Sequence, residues 1–345
     1  MSNAPHAHPD ANDGPQRFRV GTFNVYNLLL PGVRVYESDG DSDEVYADKC
    51  AWIRQQVQRM QADIVGFQEV FQGRALRDAL DGSPLTDVVT RAGPDETLET
   101  PNVALASAHE VLQVRYHERI PDHARIDFDG HDLGIDRFSR PVLETKIDVH
   151  GLEVDVFVAH LKSKRGVYPK DADFTDPVER AKANARSLLL RAQDAAGLRA
   201  LVARRVEGPN TPVIVMGDFN DTEAAVTTRM VSGDPPFAKM PFHIKKNIWD
   251  TLLYDVQEIQ QRHHQRSVHY THIHSGRFET LDHILVSEEF FPGNKGGLGA
   301  VEWVQVLNDH LLDERFVDGE GVPRTQSDHG QVVASIKLHP RHDER

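Results

Sequence analysis

The sequence contains a single cysteine, Cys50. One thiol excludes an internal disulfide framework of the kind that holds small secreted domains together. Long apolar runs are missing as well. The longest apolar stretch, around residues 188–190, is interrupted by Arg186, Arg191 and Asp194. It falls far short of the roughly 20 apolar residues that a membrane-spanning helix needs, so we expect no association with a membrane.

The N-terminal segment MSNAPHAHPDANDGPQ lacks the apolar stretch of a secretory signal. This favours a cytoplasmic location, unless a leader has been removed. We predict that residues 1–16 and 340–345 are tails around one domain over residues 17–339. The reason is that no Gly/Ser-rich or Pro-rich linker divides the chain, and no repeat of roughly 20–50 residues is visible. We expect a monomer.

Positive charge is scarce, since 39 Lys and Arg residues stand against 53 Asp and Glu residues and the net charge is −14. Proteins that bind nucleic acid without sequence preference contact its phosphates through Lys and Arg. The acidic balance therefore argues against tight binding of nucleic acid over a broad surface. It does not exclude a nuclease, because a bound metal ion supplies its own positive charge at the site of reaction.

Hydrophobic periodicity predicts many short strands and a few longer helices. The predicted strands are residues 17–24, 63–68, 103–107, 110–118, 142–150, 153–160, 213–217, 301–306 and 331–337. The predicted helices are residues 46–60, 71–80 and 177–206. Residues 268–274 and 280–286 are predicted to pair with each other, and residues 230–247 to be irregular. This mixture favours an α/β sandwich, in which helices lie outside two packed sheets.

The predicted helix over residues 177–206 is the clearest one, because Pro177 stands at its first turn. Its predicted buried face has helical spacing and consists of Ala181, Ala185, Leu188, Leu189, Ala192 and Ala196.

Polar residues stand at or beside the ends of several predicted strands. The segments are TFNVYNL with Asn24, VGFQEV with Glu69, VAHLKSK with His160, VMGDFND with Asp218 and Asn220, LDHILVS with Asp282, and TQSDHGQVV with Asp328 and His329. Strand ends that carry carboxylates, amides and imidazoles indicate side chains gathered at one rim of a sheet. Sites that hydrolyse esters with a divalent metal are built in this way.

Hydrolysis of a phosphate ester needs a hard cation that neutralises the developing charge, and groups that position water and move protons. Mg²⁺ prefers oxygen ligands and is usually held by one or two carboxylates. Glu69 and Asp328 fit this role, with Asn24 as a neutral oxygen donor. The expected cofactor is Mg²⁺, or Mn²⁺ in its place.

The other polar residues fit the water and proton chemistry. Asp218 is suited to orienting or deprotonating water, and Asn220 to holding the water or the phosphate. His160 and His329 are suited to supplying protons or hydrogen bonds to phosphate oxygens. An acid such as Asp282 would fix the tautomer of His329 and raise its pKa. The residues leave open whether Asp218 or a histidine is the general base.

The ordered series TFNVYNL, FQEV, AHLKSK, GDFND, LDHILVS and SDH resembles the endonuclease/exonuclease/phosphatase superfamily, whose fold is shared by DNase I and exonuclease III-like enzymes. The resemblance covers about residues 18–338. It implies a four-layer α/β sandwich with the site at one edge of two sheets. It also implies that Asn24, Glu69 and Asp328 belong to the metal site, and that Asp218 and Asn220 position water and phosphate.

The same resemblance implies roles for further residues. His329 resembles the catalytic histidine of the family, Asp282 its orienting acid, and His160 the second histidine of the DNase I-like branch. A tyrosine is usual at the position of His160 in the abasic-site repair branch, which argues against an apurinic endonuclease. Arg140 resembles an arginine at a strand start in nuclease-like members, where it would contact a phosphate. The cations Lys162, Lys164 and Arg165 are predicted to line the substrate groove.

Three functions follow from these residues. The first is a divalent-metal phosphodiesterase, a nuclease of the DNase I-like branch with nucleic acid as its substrate. The second keeps the chemistry on a small or lipid-derived phosphate ester, which the acidic balance favours. The third is an inactive binding or scaffold protein with this fold, which the intact polar set argues against.

Two further patterns have simpler interpretations. The acidic run over residues 39–44 fails the calcium-loop pattern and is interpreted as a solvated loop. The imidazole-rich stretch over residues 263–274 is interpreted as a polar rim near the substrate, with a separate transition-metal site as the alternative. His283, next to Asp282 in a strand, points to the opposite face and is predicted to be structural.

Overall fold

The structure is a computed structural model that describes residues 16–35, 40–93, 96–206, 211–263, 269–274, 276–313 and 323–340. Its strands are β1 (Arg17–Leu28), β2 (Ile64–Val70), β3 (Asp87–Thr90), β4 (Asn102–Ser107), β5 (Val111–Arg119), β6 (Asp127–Phe128), β7 (His131–Asp132), β8 (Arg137–Val149), β9 (Leu152–His160), β10 (Val213–Asp218), β11 (Tyr254–Asp255), β12 (His272–His274), β13 (Arg277–Glu279), β14 (Asp282–Val286), β15 (Gly299–Leu307) and β16 (Gln331–Leu338). Its α-helices are α1 (Asp43–Met60), α2 (Gly73–Ala79), α3 (Pro177–Val206), α4 (Val226–Ser232), α5 (Phe242–Trp249) and α6 (Val256–His263).

The strands form two six-stranded sheets. The first sheet has the order β15-β16-β1-β2-β4-β3, and the second has the order β11-β14-β10-β9-β8-β5. Each sheet contains one parallel pair, β1 with β2 and β9 with β10, and its other neighbours are antiparallel. The strands β12 and β13 form a separate small hairpin, as do β6 and β7.

Side chains alternate between the two faces of each central strand, which explains why the two sheets pack together and also carry helices. In β9, Val156 and Val158 belong to the core between the two sheets. The intervening Phe157 and Ala159 belong to a second core, under α3. Since successive side chains of a strand point to opposite faces, a strand buried on both sides is apolar almost throughout.

Helices cover the outer face of each sheet. Ile53 and Val57 of α1 pack against the first sheet, and Leu198 and Val202 of α3 pack against the second. The layers are therefore helix, sheet, sheet and helix. This arrangement confirms the predicted four-layer α/β sandwich.

Helix α3 has the predicted bounds but not the predicted face. Leu188 is 50% exposed and Leu189 is 42% exposed, whereas Arg191 and Asp194 are buried. Asp194 accepts hydrogen bonds from the backbone N–H groups of Ser139 and Lys162, each at 2.9 Å. The helix turns polar side chains inward because they satisfy backbone groups of the loops beside it.

Other elements also differ from the prediction. Strand β14 pairs with β10 and β11, so residues 280–286 do not pair with residues 268–274. The hairpin partner of His272–His274 is Arg277–Glu279, and residue 268 lies outside the described residues. Residues 230–247, predicted to be irregular, contain the end of α4 and most of α5. Strand β3 and helix α6 were not predicted, because short elements leave too few residues for a period to be recognised.

The acidic run over residues 39–44 is the start of a helix in its described part. Ser42 caps α1 by accepting a hydrogen bond from Val45 N at 3.3 Å, and Asp43 and Glu44 occupy the first turn. Negative charge there is favoured by the helix dipole. Asp41 forms an ion pair with Arg324 at 3.1 Å, and Asp39 lies outside the described residues.

Most of the two predicted tails, residues 1–15 and 341–345, lies outside the described residues. Gln16 is described, and its carbonyl oxygen accepts a hydrogen bond from Leu338 N at 2.9 Å. The single domain over residues 17–339 stays a prediction. Among the described helices, none has the length and apolar character needed to cross a membrane.

Candidate active site

The two parallel pairs bring polar residues from both sheets to one edge of the sandwich. Asp218, the last residue of β10, lies opposite His160 of β9 and Asp282 of β14. Asn24 is a corresponding edge position in the first sheet, where β1 runs parallel to β2. Asn24 Nδ2 donates to Asp218 Oδ2 at 3.1 Å, so the two sheets meet at this point.

Gly217 makes the close approach of β9 and β10 possible. Its φ is +144°, and a Cβ atom there would lie 1.9 Å from the carbonyl oxygen of Ala159. Only glycine fits a backbone that is both unusual in φ and in contact with its neighbour. The GD dipeptide of GDFND therefore places Asp218 directly beside His160.

Asn24 orients the carboxylates around it. Its Oδ1 accepts a hydrogen bond from Tyr26 N at 3.0 Å. This bond directs Nδ2 to Glu69 Oε1 at 3.3 Å and to Asp218 Oδ2. Asn24 thus presents its amide N–H groups, rather than its oxygen, to the acids of the site.

Glu69 is held by an irregular, strained segment near the end of β1, where the register with β2 shifts. Tyr26 and Asn27 have φ of 51° and 52°, and Glu69 itself has φ of 66°. Asn27 N donates to Glu69 Oε2 at 2.9 Å. The buried Lys49 of α1 donates to the carbonyl oxygen of Tyr26. Non-glycine residues in this region of φ cost free energy and persist only where other contacts hold them.

Lys49 also contributes charge to the site. Burial lowers its pKa to about 8, while the charges of Asp41, Glu69 and Asp328 act in the opposite direction. Sequence analysis did not identify Lys49, although a lysine on the buried side of an amphipathic helix is an unusual feature that would have indicated it.

Asp218 contacts site residues from both sheets, and we call this carboxylate and its partners the Asp218 hub. Asn220 N donates to Asp218 Oδ1 at 2.8 Å, and His160 Nε2 lies 3.3 Å from Asp218 Oδ2. Burial alone would raise the pKa of Asp218, but the charge of His329 and the hydrogen bond from His160 hold it well below its usual value. Burial and the nearby charge of Arg140 lower the pKa of His160.

Asn220 connects this hub to β9. Its Nδ2 donates to the carbonyl oxygen of Leu161 at 3.1 Å, and its φ is 56°. Asn tolerates this left-handed conformation better than most residues.

His329 and Asp282 form a buried pair, as the two motifs predict. His329 Nδ1 donates to Asp282 Oδ2 at 2.8 Å, which leaves Nε2 facing Asp218 Oδ2 at 3.9 Å. Burial would lower the pKa of His329, but the charges of Asp282 and Asp218 raise it well above its usual value. Thr271 Oγ1 accepts from Asp282 N at 3.2 Å and fixes the start of β14.

Asp328 lies beside His272 rather than in hydrogen-bond contact with Glu69 or Asn24. His272 Nε2 is 3.8 Å from Asp328 Oδ2. The segment that carries Asp328 is tied to β1 through Ser327 Oγ, which donates to the carbonyl oxygen of Asn24 at 2.7 Å. Burial would raise the pKa of Asp328, but the imidazoles of His272 and His329 lower it.

The residues present fit a divalent cation. His272, Asp328 and His329 each offer one ligand atom, and these atoms lie within 4.8 Å of one another. Asp218, Asp282 and His329 form a second such group. Asp328 Oδ1 and Asp282 Oδ1 are buried and accept no hydrogen bond from a described residue. Buried carboxylate oxygens without a donor are costly unless a cation neutralises them.

Three of the predicted substrate-binding cations already have partners within the chain. Arg140 Nη1 donates to the carbonyl oxygen of Leu161 at 3.1 Å, and Lys162 Nζ donates to Ser163 Oγ at 3.1 Å. Lys164 Nζ lies 2.9 Å from Glu279 Oε2. The charge of Lys164 is thus partly neutralised by the β12–β13 hairpin.

The structure therefore brings together most of the predicted site residues at one edge. The residues in mutual contact there are Asn24, Glu69, His160, Asp218, Asn220, Asp282 and His329, with Asp328 linked through its neighbours and through His272. His283 lies on the other face of β14, as predicted, where Nδ1 donates to Asp255 Oδ2 at 2.8 Å.

Comparison with known proteins agrees with this arrangement. The sequence model described as the Endonuclease/Exonuclease/phosphatase family matches residues 21–329. A search of curated protein sequences finds no significant match.

Solved structures with the same fold have low sequence identity to this chain. An endonuclease/exonuclease/phosphatase family protein from Bacteroides thetaiotaomicron is 18% identical, with a TM-score of 0.54, and the match covers 95% of this chain and 100% of that one. D. rerio TDP2 complexed with single strand DNA product is 14% identical, with a TM-score of 0.54 and coverages of 93% and 99%. The human Nocturnin catalytic domain with bound sulfate anion is 13% identical, with a TM-score of 0.53 and coverages of 94% and 95%.

The structural matches establish the fold, and the sequence match extends over most of the chain and ends at His329. Together they support a phosphoesterase hydrolase in general terms. The chain belongs to the endonuclease/exonuclease/phosphatase family.

Proposed function

We propose that this protein is a divalent-metal-dependent phosphodiesterase that hydrolyses nucleic acid. The observation that carries the proposal is the hub at Asp218, where an ionised carboxylate touches Asn24 and Asn220 and lies between His160 and His329. Two imidazoles with pKa values displaced in opposite directions around one carboxylate are what a hydrolase needs for proton transfer near neutral pH.

The metal site in this proposal consists of Glu69 and Asp328, with Asn24 as the residue that orients Glu69. A bound Mg²⁺ or Mn²⁺ would neutralise charge on the phosphate and on the leaving oxygen. The backbone N–H of Asn27 holds Glu69, and Lys49 holds the carbonyl oxygen of Tyr26, the residue before Asn27. A carboxylate that is already oriented loses less entropy when it binds a cation.

Residues of the second sheet position the water and bind the phosphate in this proposal. Asp218, held ionised by its neighbours, accepts a hydrogen bond from the attacking water and orients it, while Asn220 steadies the water or a phosphate oxygen. His329, kept protonated by Asp282, donates to a phosphate oxygen through Nε2. His160, which burial and Arg140 keep neutral, is the second imidazole available for proton transfer. In-line attack would require water and leaving oxygen on opposite sides of the phosphorus.

Nucleic acid is favoured as the substrate by one protein of the same fold, and a tetrahedral oxyanion by another. D. rerio TDP2 has been solved with a single strand DNA product, and the human Nocturnin catalytic domain with a sulfate anion. Sulfate has the shape and charge distribution of a tetrahedral phosphate. Arg140, with Nε buried and not bonded to a described residue, would contact such a group beside His160.

The test is cleavage of supercoiled plasmid and of single-stranded DNA with Mg²⁺ or Mn²⁺. We expect cleavage that a chelator abolishes. Asp218→Ala should reduce the rate at least about 10²-fold, the scale of a group that positions or accepts a proton. Glu223→Ala, a neighbouring acid outside the hub, is the matched control and should cleave normally. Failure of the wild-type protein to cleave any phosphodiester in the presence of metal would refute the proposal.

A second candidate is hydrolysis of a small or lipid-derived phosphate ester. It is favoured by the pairing of Lys164 with Glu279, which removes free positive charge from the predicted groove, and by the net charge of −14. A backbone-binding nuclease is expected to lose affinity steeply as salt rises. Turnover of phosphomonoesters and small phosphodiesters that exceeds turnover of DNA, and does not change between about 50 and 200 mM salt, would favour this candidate over a nuclease.

A further inference from the structure

The small β12–β13 hairpin places an imidazole at the candidate metal site. His272 forms an isolated antiparallel bridge with His329, and Gly330 N donates to the carbonyl oxygen of Thr271 at 2.7 Å. The rings of His272 and His329 have centroids 5.0 Å apart. The hairpin is therefore joined to the segment that carries Asp328, and His272 is held beside that carboxylate by backbone pairing.

The distance between His272 and Asp328 is too long for a hydrogen bond. His272 Nε2 lies 3.8 Å from Asp328 Oδ2, whereas nitrogen–oxygen hydrogen bonds reach only about 3.2 Å. Two ligand atoms that are each about 2.1 Å from one ion are at most about 4.2 Å apart. A separation of 3.8 Å is therefore short enough for both atoms to bind one cation.

The unpartnered polar atoms point to the same conclusion. Asp328 Oδ1 and His272 Nδ1 are both buried, and neither forms a hydrogen bond with a described residue. His272, Asp328 and His329 together offer three ligand atoms within 4.8 Å of one another. The carboxylate of Asp328 and Nε2 of His272 form a mixed nitrogen and oxygen pair of the kind that binds a divalent cation.

Resting on the metal site of the proposed function, we propose that His272 is a nitrogen ligand of the cation held by Asp328. This gives the site a preference for Mn²⁺ over Mg²⁺. Mg²⁺ binds almost only to oxygen and keeps several waters, whereas imidazole is a good ligand for the transition metals. The cofactor is then a divalent transition-metal ion. The residue that sets this preference, His272, lies on the β12–β13 hairpin and not on the strands that carry the acids.

The test is electron paramagnetic resonance of the full-length protein, stripped of metal and loaded with one equivalent of Mn²⁺ in the absence of substrate. Electron spin echo modulation from nitrogen reports whether an imidazole is bound to the manganese. We expect such a coupling in the wild type and one fewer coordinated nitrogen in His272→Gln. His274→Gln is the matched control, because His274 is on the same strand face but exposed. It should leave the coupling unchanged.

Calorimetric titration gives a second readout. His272→Gln should weaken Mn²⁺ binding by about tenfold or more, the scale of losses on removing a group that supports a metal site. It should change Mg²⁺ binding by less than about twofold, since Mg²⁺ makes little use of nitrogen ligands. No nitrogen coupling in the wild type, or an equal coupling in His272→Gln, would overturn the proposal, as would an equal loss of affinity for both ions.

Two controls keep these outcomes interpretable. Thermal unfolding of the metal-free variants shows whether His272→Gln is folded, and His272→Asn provides a second, shorter amide at the same position. The spectra require no turnover, so absence of the nitrogen coupling in the wild type, or its persistence in His272→Gln, would refute His272 as a ligand without affecting the phosphodiesterase proposal. Conversely, an intact coupling in a protein that cleaves no phosphodiester would refute the proposed function alone.

Discussion

Two buried histidine–aspartate pairs lie on opposite faces of the same strand, and they do different work. His329 Nδ1 donates to Asp282 Oδ2 at 2.8 Å, and His283 Nδ1 donates to Asp255 Oδ2 at 2.8 Å. Asp282 and His283 are consecutive residues of β14. The pairs are therefore matched in distance and burial, and they differ in what surrounds the second ring nitrogen.

The second ring nitrogen of His283 forms a hydrogen bond, and that of His329 does not. His283 Nε2 donates to the carbonyl oxygen of Asp221 at 2.9 Å, and its ring packs on Phe219 with centroids 5.2 Å apart. His329 Nε2 instead faces Asp218 Oδ2 at 3.9 Å, beyond hydrogen-bond range. A histidine–aspartate pair becomes available for chemistry only where the fold leaves one imidazole nitrogen unbonded.

The largest expected effect separates the pairs by activity. His329→Gln should lower kcat about 10²–10⁴-fold, because it removes a proton donor to the phosphate. His283→Gln should preserve the turnover of the folded fraction, since both ring nitrogens of His283 bond to residues other than the polar side chains of the site. Rates are measured per folded molecule, with the folded fraction taken from circular dichroism. Equal losses of kcat in the two variants would contradict the distinction.

The next expected effect concerns the stability of the fold instead of the activity. Asp255→Asn removes one partner of a buried charged pair, which typically costs about 3–5 kcal/mol in the free energy of unfolding. Denaturant unfolding should therefore show a loss of this size for Asp255→Asn. A stability of Asp255→Asn within about 1 kcal/mol of the wild type would show that the pair is not structural.

A smaller effect is expected in the pH dependence of stability. Burial lowers the pKa of His283, but the hydrogen bond and charge of Asp255 outweigh it and raise the pKa to about 9 from 6.5. The proton of His283 therefore stabilises the fold fully below pH 6.5, and this contribution is lost as the pH rises through 9. It amounts to about 3 kcal/mol. The difference in unfolding free energy between wild type and His283→Gln, measured from pH 6 to pH 10, should shrink accordingly, and a constant difference would refute the assignment.

The smallest effect is expected at the exposed ion pair of Lys164. Lys164→Ala removes a half-exposed contact with Glu279, and we expect a loss of under about 1 kcal/mol in stability. DNA cleavage should change only modestly, because Glu279 already neutralises part of the charge of Lys164. A large, salt-dependent fall in cleavage would instead indicate that Lys164 leaves Glu279 to contact phosphate.

Much of the fold was predictable because its central strands are apolar on both faces and its motifs follow strand ends. The GDFND, LDHILVS and SDH segments indicated Asp218, Asp282 and His329, and residue-by-residue alternation in β14 separated Asp282 from His283. The partner of His283 was not predictable. Asp255 follows a stretch predicted to be irregular, and only the pairing of β11 with β14 brings it to the histidine.

The buried face of α3 and the position of His272 escaped prediction for a related reason. Periodicity favours apolar residues for burial, yet Asp194 and Arg191 are buried because they satisfy backbone groups of loops distant in sequence. His272 belongs to an imidazole-rich stretch in which sequence alone gives no means of choosing one ring. Its bridge to His329 made that choice.

The sequence by itself determined the family, the layered α/β architecture and the residue types available at the strand ends, since these depend on local patterns and on ordered motifs. Tertiary structure alone decided that Asn24 turns its amide N–H groups to the acids, that Lys49 supports Glu69, and that Asp328 lies against His272. Contacts of this kind join residues far apart in the chain. Their geometry is set by strand register and by the packing of two sheets, neither of which is written in any single segment.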